Sequence, residues 1–408
     1  MKTINRSYLI FLVIFMGLVA VMDQYISTVK TTAIPYILQE YGLTAERFSW
    51  VESLFLAATF LIFLLNGLND LIGRRWAILV LILMMGFSSI AIVWFTPNFT
   101  LFMVFYTVAT FTTVSNMWTI PISEEAPDMR RARLVSIVYV IGLLPLQALL
   151  PPLLLNVFKL DWKWMYGVMF IMMLPVLILW LFMHETNRYR LIQAEQRQGI
   201  RKRHFYGVGV IDRRDVRYII ISASVWICWL LNSFIHYWAG YYFMNIHGYS
   251  LSQWSFVLLA SLLMAILGGV TGGWIMDHIG RRTALVLGCV GLTVTMSILG
   301  FAEGALLPIS AALTGFFVSL TYTWIVVYVP EIFPTERRGS CMGWTTTLAR
   351  LAYVAGPALA AILLRAFPQM EWFWVIGGLI MLLPIGIIAL VQPAETRVKP
   401  LEVIEVER

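Results

Sequence analysis

Twelve times along this chain an apolar run recurs that is long enough to cross a lipid bilayer as a helix, and few folds tolerate such a pattern. A crossing helix needs about 20 apolar residues. Runs of that kind occupy 8–36, 48–70, 74–95, 99–122, 132–157, 163–184, 217–246, 252–276, 282–302, 305–330, 340–366 and 370–391. The links between them are short and rich in charge, Pro and Gly, apart from one longer segment at 185–216. A membrane β-barrel would show segments of about 10 residues with alternating polarity instead. Only 12% of residues are charged, about half the share of a soluble domain, so the chain cannot coat a water-facing surface. The first run is too long for a secretory signal, and no small-residue cleavage site follows it. These features predict an all-α integral membrane protein with twelve transmembrane helices.

The net charge of +7 raises the question of nucleic acid, and the placement of the charges argues against it. With the N-terminus inside, alternate links and both tails hold 23 of the 29 Lys and Arg, nine of them in the central loop and its edges. The opposite links hold only Arg47, Lys159, Lys163 and Arg365. This positive-inside pattern places both termini in the cytoplasm, in a multi-pass protein of the plasma (cell inner) membrane. The basic central loop suits anionic lipid. Cys228, Cys289 and Cys341 lie in or beside spans and suggest neither a disulfide framework nor a metal site. No G-x-x-x-x-G-K-[ST] phosphate loop, H-E-x-x-H or C-x-x-C occurs, so no cofactor, metal or enzyme activity is expected.

An internal repeat organises the spans. Asn69-Asp70-Leu71-Ile72-Gly73-Arg74-Arg75 follows the second span, and Met276-Asp277-His278-Ile279-Gly280-Arg281-Arg282 follows the eighth. Glu124-Glu125-Ala126-Pro127-Asp128-Met129-Arg130-Arg131 follows the fourth, and Glu331-Ile332-Phe333-Pro334-Thr335-Glu336-Arg337-Arg338 follows the tenth. Both pairs share an offset of 207 residues. The chain therefore reads as two pseudo-symmetric six-helix bundles in the same orientation, 1–184 and 217–408, joined by a linker at 185–216. Parallel halves with a solute site near the midplane are an established transporter plan.

At these residues the chain resembles the major facilitator superfamily, through its D-x-x-G-R-R loops. The E-x-x-P-x-x-x-R pattern and the tail Pro393-Ala394-Glu395-Thr396-Arg397 narrow the resemblance to the sugar-porter and organic-ion-porter branch. The resemblance implies that Asp70, Gly73, Arg74, Arg75, Glu124, Arg131, Asp277, Gly280, Arg281, Arg282, Glu331 and Arg338 form a cytoplasmic gate, a latch that breaks on inward opening. Gly73 and Gly280 permit the tight turns, and the aspartates suit helix N-termini. The plainer alternative is charged loop ends obeying the topology rule.

Ionisable residues inside a span are costly and mark function by default. Asp23 and Lys30 are two turns apart on one face of the first span, with Ser27 between them and Gln24, Thr28 and Thr31 beside it. Arg350 lies midway along the eleventh span. The seventh span, counterpart of the first, carries Asn232, Ser233, His236, Tyr237 and Tyr241. These residues are expected to line a central cavity, with Asn116, Trp118, Gln147, Tyr322, Thr323 and Trp324 as weaker candidates. A purely structural Asp23–Lys30 pair and a hydrogen-bonded interior His236 are the competing readings.

Asp23 is expected to couple protons, while Lys30 and Arg350 favour an anionic organic solute such as a carboxylate. The chain departs from the sugar symporters: its fourth span has no arginine for the acid, and the seventh lacks their paired glutamines. The segment after the sixth span reads His184-Glu185-Thr186-Asn187-Arg188, without a proline. The function read from this stage is secondary transport of a small polar solute by alternating access, with proton coupling, by a monomer. A uniporter or exporter of sugars, drugs or organic cations is the alternative, and a non-transporting receptor a remote one.

Overall fold

The computed structural model describes residues 6–115, 117–126, 131–198, 211–333 and 338–396. Asn116, Pro127 and Pro334 lie outside this set, as do the side chains of Asp70, Arg131 and Arg338. Among the described residues every regular element is helical. Ten helical stretches of the described residues are long and apolar enough to cross a bilayer: Arg6–Tyr41, Ala45–Asn66, Arg74–Trp94, Ile137–Val157, Arg213–Ile246, Leu251–His278, Arg281–Phe301, Leu306–Ile332, Ser340–Ala366 and Glu371–Val391. Two shorter apolar helices, Phe99–Thr112 and Trp164–Trp180, fall where the fourth and sixth spans were expected.

Helices dominate because a hydrocarbon solvent offers no partner for backbone N–H and C=O groups, so each segment must satisfy its own. Side-chain hydroxyls follow the same rule. Ser89 donates to the Met85 carbonyl, Thr314 to Ser310 and Thr345 to Cys341, each one turn back on its own helix. Helix starts are capped where they meet the links. The Asn98 side chain accepts from the Leu101 N–H, and reciprocal caps join Asp212 with Asp215 and Ser250 with Gln253.

The chain packs as two compact units. Unit one comprises residues 1–30, 61–147 and 154–208, and unit two comprises 31–60, 148–153 and 209–408. In unit one, the third span packs along the sixth and beside the fourth. A Cβ on Gly86 would lie 2.1 Å from the Met173 sulfur, so the absence of a side chain there admits the methionine.

In unit two the eighth and tenth spans share the closest packing, and glycines explain it. A Cβ on Gly268 would stand 2.0 Å from the Phe316 carbonyl oxygen, and one on Gly315 would stand 2.3 Å from that of Ser261. Small residues let backbones approach in this way where apolar solvent supplies no hydrophobic drive. Residues 31–60 belong to the same core. The Trp254 indole donates to Thr32 Oγ1 at 3.0 Å, the Ser53 hydroxyl donates to the Val354 carbonyl at 2.7 Å, and Gly240 admits the Thr31 carbonyl.

Candidate functional site

The first site is built around Asp23, which is 1% exposed within the helix Arg6–Tyr41. A carboxylate so placed must be hydrogen-bonded, and the fourth span supplies the donors. That span was expected to run unbroken over 99–122. It instead stops at Thr112 and resumes at Thr119–Glu125. In the interruption Val114 takes the left-handed region, φ +55°, which is unfavourable for a β-branched residue. The break turns the Val114 N–H away from the helix ladder and onto Asp23 Oδ1 at 2.8 Å. One turn on, the Trp118 indole donates to Asp23 Oδ2 at 2.9 Å. Irregular backbone at membrane depth is tolerated when protein groups cover it.

The rest of the polar stripe divides by exposure. Lys30 is 2% exposed, while Gln24, Ser27 and Thr28 are half-buried. Ser27 and Thr28 both donate to the Gln24 carbonyl, at 2.9 and 2.7 Å. Gly142 of the fifth span brings its backbone against Ala20 and Gln24. Gln147 is buried.

In unit two, Arg350 is 1% exposed at the junction between helices Arg338–Ala349 and Leu351–Ala366. Its guanidinium stacks over the Tyr353 ring, 4.2 Å from the centroid, a cation–π contact that strengthens as water is excluded. Tyr353 in turn meets Phe234 of the seventh span edge-on at 5.2 Å. Tyr322 lies against Trp229 at 4.5 Å, and the Trp229 indole donates to the Val318 carbonyl. Trp324 stacks on Tyr328.

The seventh-span residues expected along a cavity also make contacts within unit two. Asn232 is fully buried, and its amide donates to the Gly377 carbonyl at 2.9 Å and touches the Met296 sulfur, which ties the seventh span to its neighbours. Ser233 donates to the Trp229 carbonyl of its own helix. The His236 ring faces Trp374 edge-on at 6.4 Å. Tyr237 meets Phe234. Tyr241 joins Tyr36, Gln39, Asn245 and Tyr249 around a groove of about 620 Å³.

The repeated loop motifs form two matching clusters, one in each unit. Gly73, at φ +92°, turns the chain into the third span. The Arg74 guanidinium straddles Glu124 with Nε at 3.0 Å and Nη2 at 2.7 Å, and its Nη1 donates to the Asn69 carbonyl at 2.7 Å. Gly280, at φ +138°, makes the corresponding turn. Arg281 donates to Glu331 through Nε at 3.3 Å and Nη2 at 3.1 Å, and to the Met276 carbonyl at 2.7 Å. Asp277 accepts a further bond from Arg281 at 3.2 Å but is itself well exposed.

A third member of each cluster was not legible as a pair. The Glu185 carboxylate accepts from the Arg74 and Arg75 backbone N–H groups, at 3.0 and 3.3 Å. Glu395 does the same for Arg281 and Arg282, at 3.1 and 3.2 Å. Each is an anion on the positive end of a spanning helix. Thr186 then donates to Glu124 at 2.5 Å, and Thr396 to Glu331 at 2.7 Å. The signal was present as a Glu-Thr pair after the sixth and twelfth spans. Its offset is 210 residues rather than 207, which hides it from a search at one fixed spacing. Arg75 completes unit one by stacking over Trp180 at 4.7 Å, while Arg282 reaches the Pro393 carbonyl.

Buried charge within spanning helices, joined to a duplicated capped-loop cluster, defines a polytopic membrane transporter. The family model for the major facilitator superfamily matches residues 13–302 and 237–407, and the chain belongs to that superfamily. It is 24% identical over 451 residues to the probable metabolite transport protein CsbC of Bacillus subtilis strain 168, covering 99% of this chain and 95% of that one. It is 26% identical over 192 residues to the putative niacin/nicotinamide transporter NiaP of the same organism, covering 47% and 48%. It is 20% identical over 207 residues to the cis,cis-muconate transport protein of Acinetobacter baylyi, half of each chain. The fold matches the inward-open xylose transporter XylE of Escherichia coli, with a TM-score of 0.72 at 18% identity over 98% of this chain and all of that one. A D-xylose-proton symporter gives 0.73 at 18% identity over 93% and 97%. The chain is therefore an all-α multi-pass membrane protein of the twelve-helix, two-bundle major facilitator fold, and a transporter rather than an enzyme.

Proposed function

We propose that this transporter moves a small organic anion, a carboxylate, by alternating access with proton coupling, acting as a monomer with both termini in the cytoplasm. The observation that carries the reading is the burial of Asp23, Lys30 and Arg350 inside spanning helices, each at most 2% exposed. Lys30 in unit one and Arg350 in unit two are buried cations of the kind that bind a carboxylate. The acid accepts from the Val114 N–H and the Trp118 indole, and a proton taken up there changes the local charge. Relatives named as transporters of niacin, cis,cis-muconate, gentisate and D-galactonate favour the same chemistry, since these are carboxylic acids or their anions. The two arginine clusters serve in this reading as cytoplasmic struts that keep each bundle rigid while the bundles rock.

A sugar is the second reading, supported by the likeness to xylose transporters. A thermal-stabilisation screen of purified protein separates the two, with nicotinate, gentisate, muconate, galactonate and xylose as probes. An acid should raise the melting temperature of the wild type and fail to do so for Arg350→Ala. Stabilisation by xylose alone would move the assignment to sugars.

A further inference from the structure

The seventh and twelfth spans, both in unit two, meet at two levels about one turn apart. At one level the Asn232 amide donates to the Gly377 carbonyl at 2.9 Å. At the other the His236 ring meets the Trp374 ring edge-on, with centroids 6.4 Å apart. Asn232 precedes His236 by four residues, and Trp374 precedes Gly377 by three. At 1.5 Å per residue the two contacts therefore bound a layer roughly 5–6 Å tall.

Each of the residues Asn232, His236 and Trp374 brings one buried polar atom with no hydrogen-bond partner among the described residues: Asn232 Oδ1, His236 Nδ1 and Trp374 Nε1. Asn232 and Trp374 are 0% exposed, and a polar atom buried in this way is costly unless something bonds to it. The Asn232 amide cannot turn round to serve the others, because the Gly377 carbonyl can only accept and holds Nδ2. Tyr242 packs on Trp374 at 5.3 Å, but its hydroxyl donates to the Leu299 carbonyl at 3.3 Å. Apolar groups close the layer: a Cβ on Gly377 would stand 2.7 Å from the Ile235 side chain and 3.1 Å from Met296 Cε.

We propose that this layer is a binding site for one ordered water molecule, which bridges the seventh and twelfth spans through Asn232, His236 and Trp374. The water accepts from the Trp374 indole N–H and donates to Asn232 Oδ1 and His236 Nδ1. That makes about three hydrogen bonds, the usual number for a buried water, and it places the His236 ring proton on Nε2. The donor and acceptor set selects a neutral occupant that does both. A cation would face the indole N–H, and an anion would face the amide oxygen. An organic solute could not reach Asn232 and Trp374 without parting the two spans. The site is separate from Asp23 and Arg350 and does not depend on which solute is carried.

Hydroxyl-radical footprinting of the purified full-length protein tests this, because X-ray radiolysis of a bound water oxidises the buried side chains that touch it. Trp374 should be oxidised faster than Trp238, which is 1% exposed and serves as the buried control. His236→Phe keeps a ring without Nδ1 and should lose that excess, whereas His236→Gln keeps an acceptor and should retain it. Ultraviolet resonance Raman spectra give a second readout on the wild type. Their difference from Trp374→Phe should show a hydrogen-bonded indole. Oxidation of Trp374 no faster than that of Trp238 would overturn the site. So would an excess that survives in His236→Phe, or a Raman signature of a free indole.

Discussion

Trp118 donates its indole N–H to Asp23 Oδ2 at 2.9 Å, joining two residues 95 positions apart in the middle of the apolar spans. The bond exists because the fourth span breaks four residues earlier, and the Val114 N–H freed by that break reaches the other carboxylate oxygen. The acid and the helix break thus stabilise one another. Hydrogen bonds to a charged group contribute about 1.5–3 kcal/mol each. Trp118→Phe should therefore lower stability by roughly that amount while keeping the aromatic packing. Denaturation of detergent-purified protein checks it, and an unchanged midpoint would mean that the indole bond adds nothing.

Val114 offers the opposite test. Left-handed backbone costs an L-residue about 1–2 kcal/mol, and glycine is largely exempt. Val114→Gly should leave the melting temperature unchanged or raise it, whereas most substitutions at buried positions lower it. A substantial drop would show that the isopropyl group matters more than the backbone.

Two glycines with positive φ should respond differently to alanine. At Gly73 a Cβ would lie 2.3 Å from Glu185 Oε2, at the contact that caps the third span. Gly248, at φ +68°, has nothing within 4 Å of that position. Gly248→Ala should cost only the backbone strain, about 1–2 kcal/mol. Gly73→Ala should cost more and also disturb the Glu185 cap. A melting comparison decides it, and equal effects would remove the cap from the account. The same logic separates Gly268→Ala, which meets the Phe316 carbonyl, from Gly273→Ala, which meets open space.

The arginine clusters predict a graded pair. Arg74 and Glu124 side chains are 8% and 10% exposed, while Arg281 and Glu331 are 7% and 28%. Removing one partner of a buried pair costs about 3–5 kcal/mol. Glu124→Ala should approach that range, and Glu331→Ala should fall below it because water reaches the orphaned arginine. The clusters lie in different compact units, so the double variant should lose the sum of the two. Marked non-additivity in chemical denaturation would show that they act together.

How far the sequence carried these conclusions depends on which physical signal was strong. Span number followed from the bilayer's demand for long apolar runs, and the loop clusters from a repeated spacing, so Arg74–Glu124 and Arg281–Glu331 were legible in outline. Glu185 and Glu395 were not recognised as equivalent, because three extra residues in the second half shift the offset. The break at Val114 was legible only in Pro121, which stands in the first turn of the resumed helix and cannot continue the ladder from the preceding turn; the carboxylate that the break serves lies on another helix. Asn232 reads as a cavity residue by its polarity; its Nδ2 is taken up by Gly377 and Met296, while its buried Oδ1 has no hydrogen bond among the described residues. Polarity alone does not say whether a buried amide faces a solute or a neighbouring helix.

Uptake into proteoliposomes under an imposed inward proton gradient tests the central claim most directly, with labelled gentisate or the acid selected by the stabilisation screen. The wild type should accumulate the acid above its external concentration, and a protonophore should abolish the accumulation. Asp23→Asn should lose accumulation yet still exchange internal for external solute. Gradient-independent uptake by the wild type, or full accumulation by Asp23→Asn, would contradict the account.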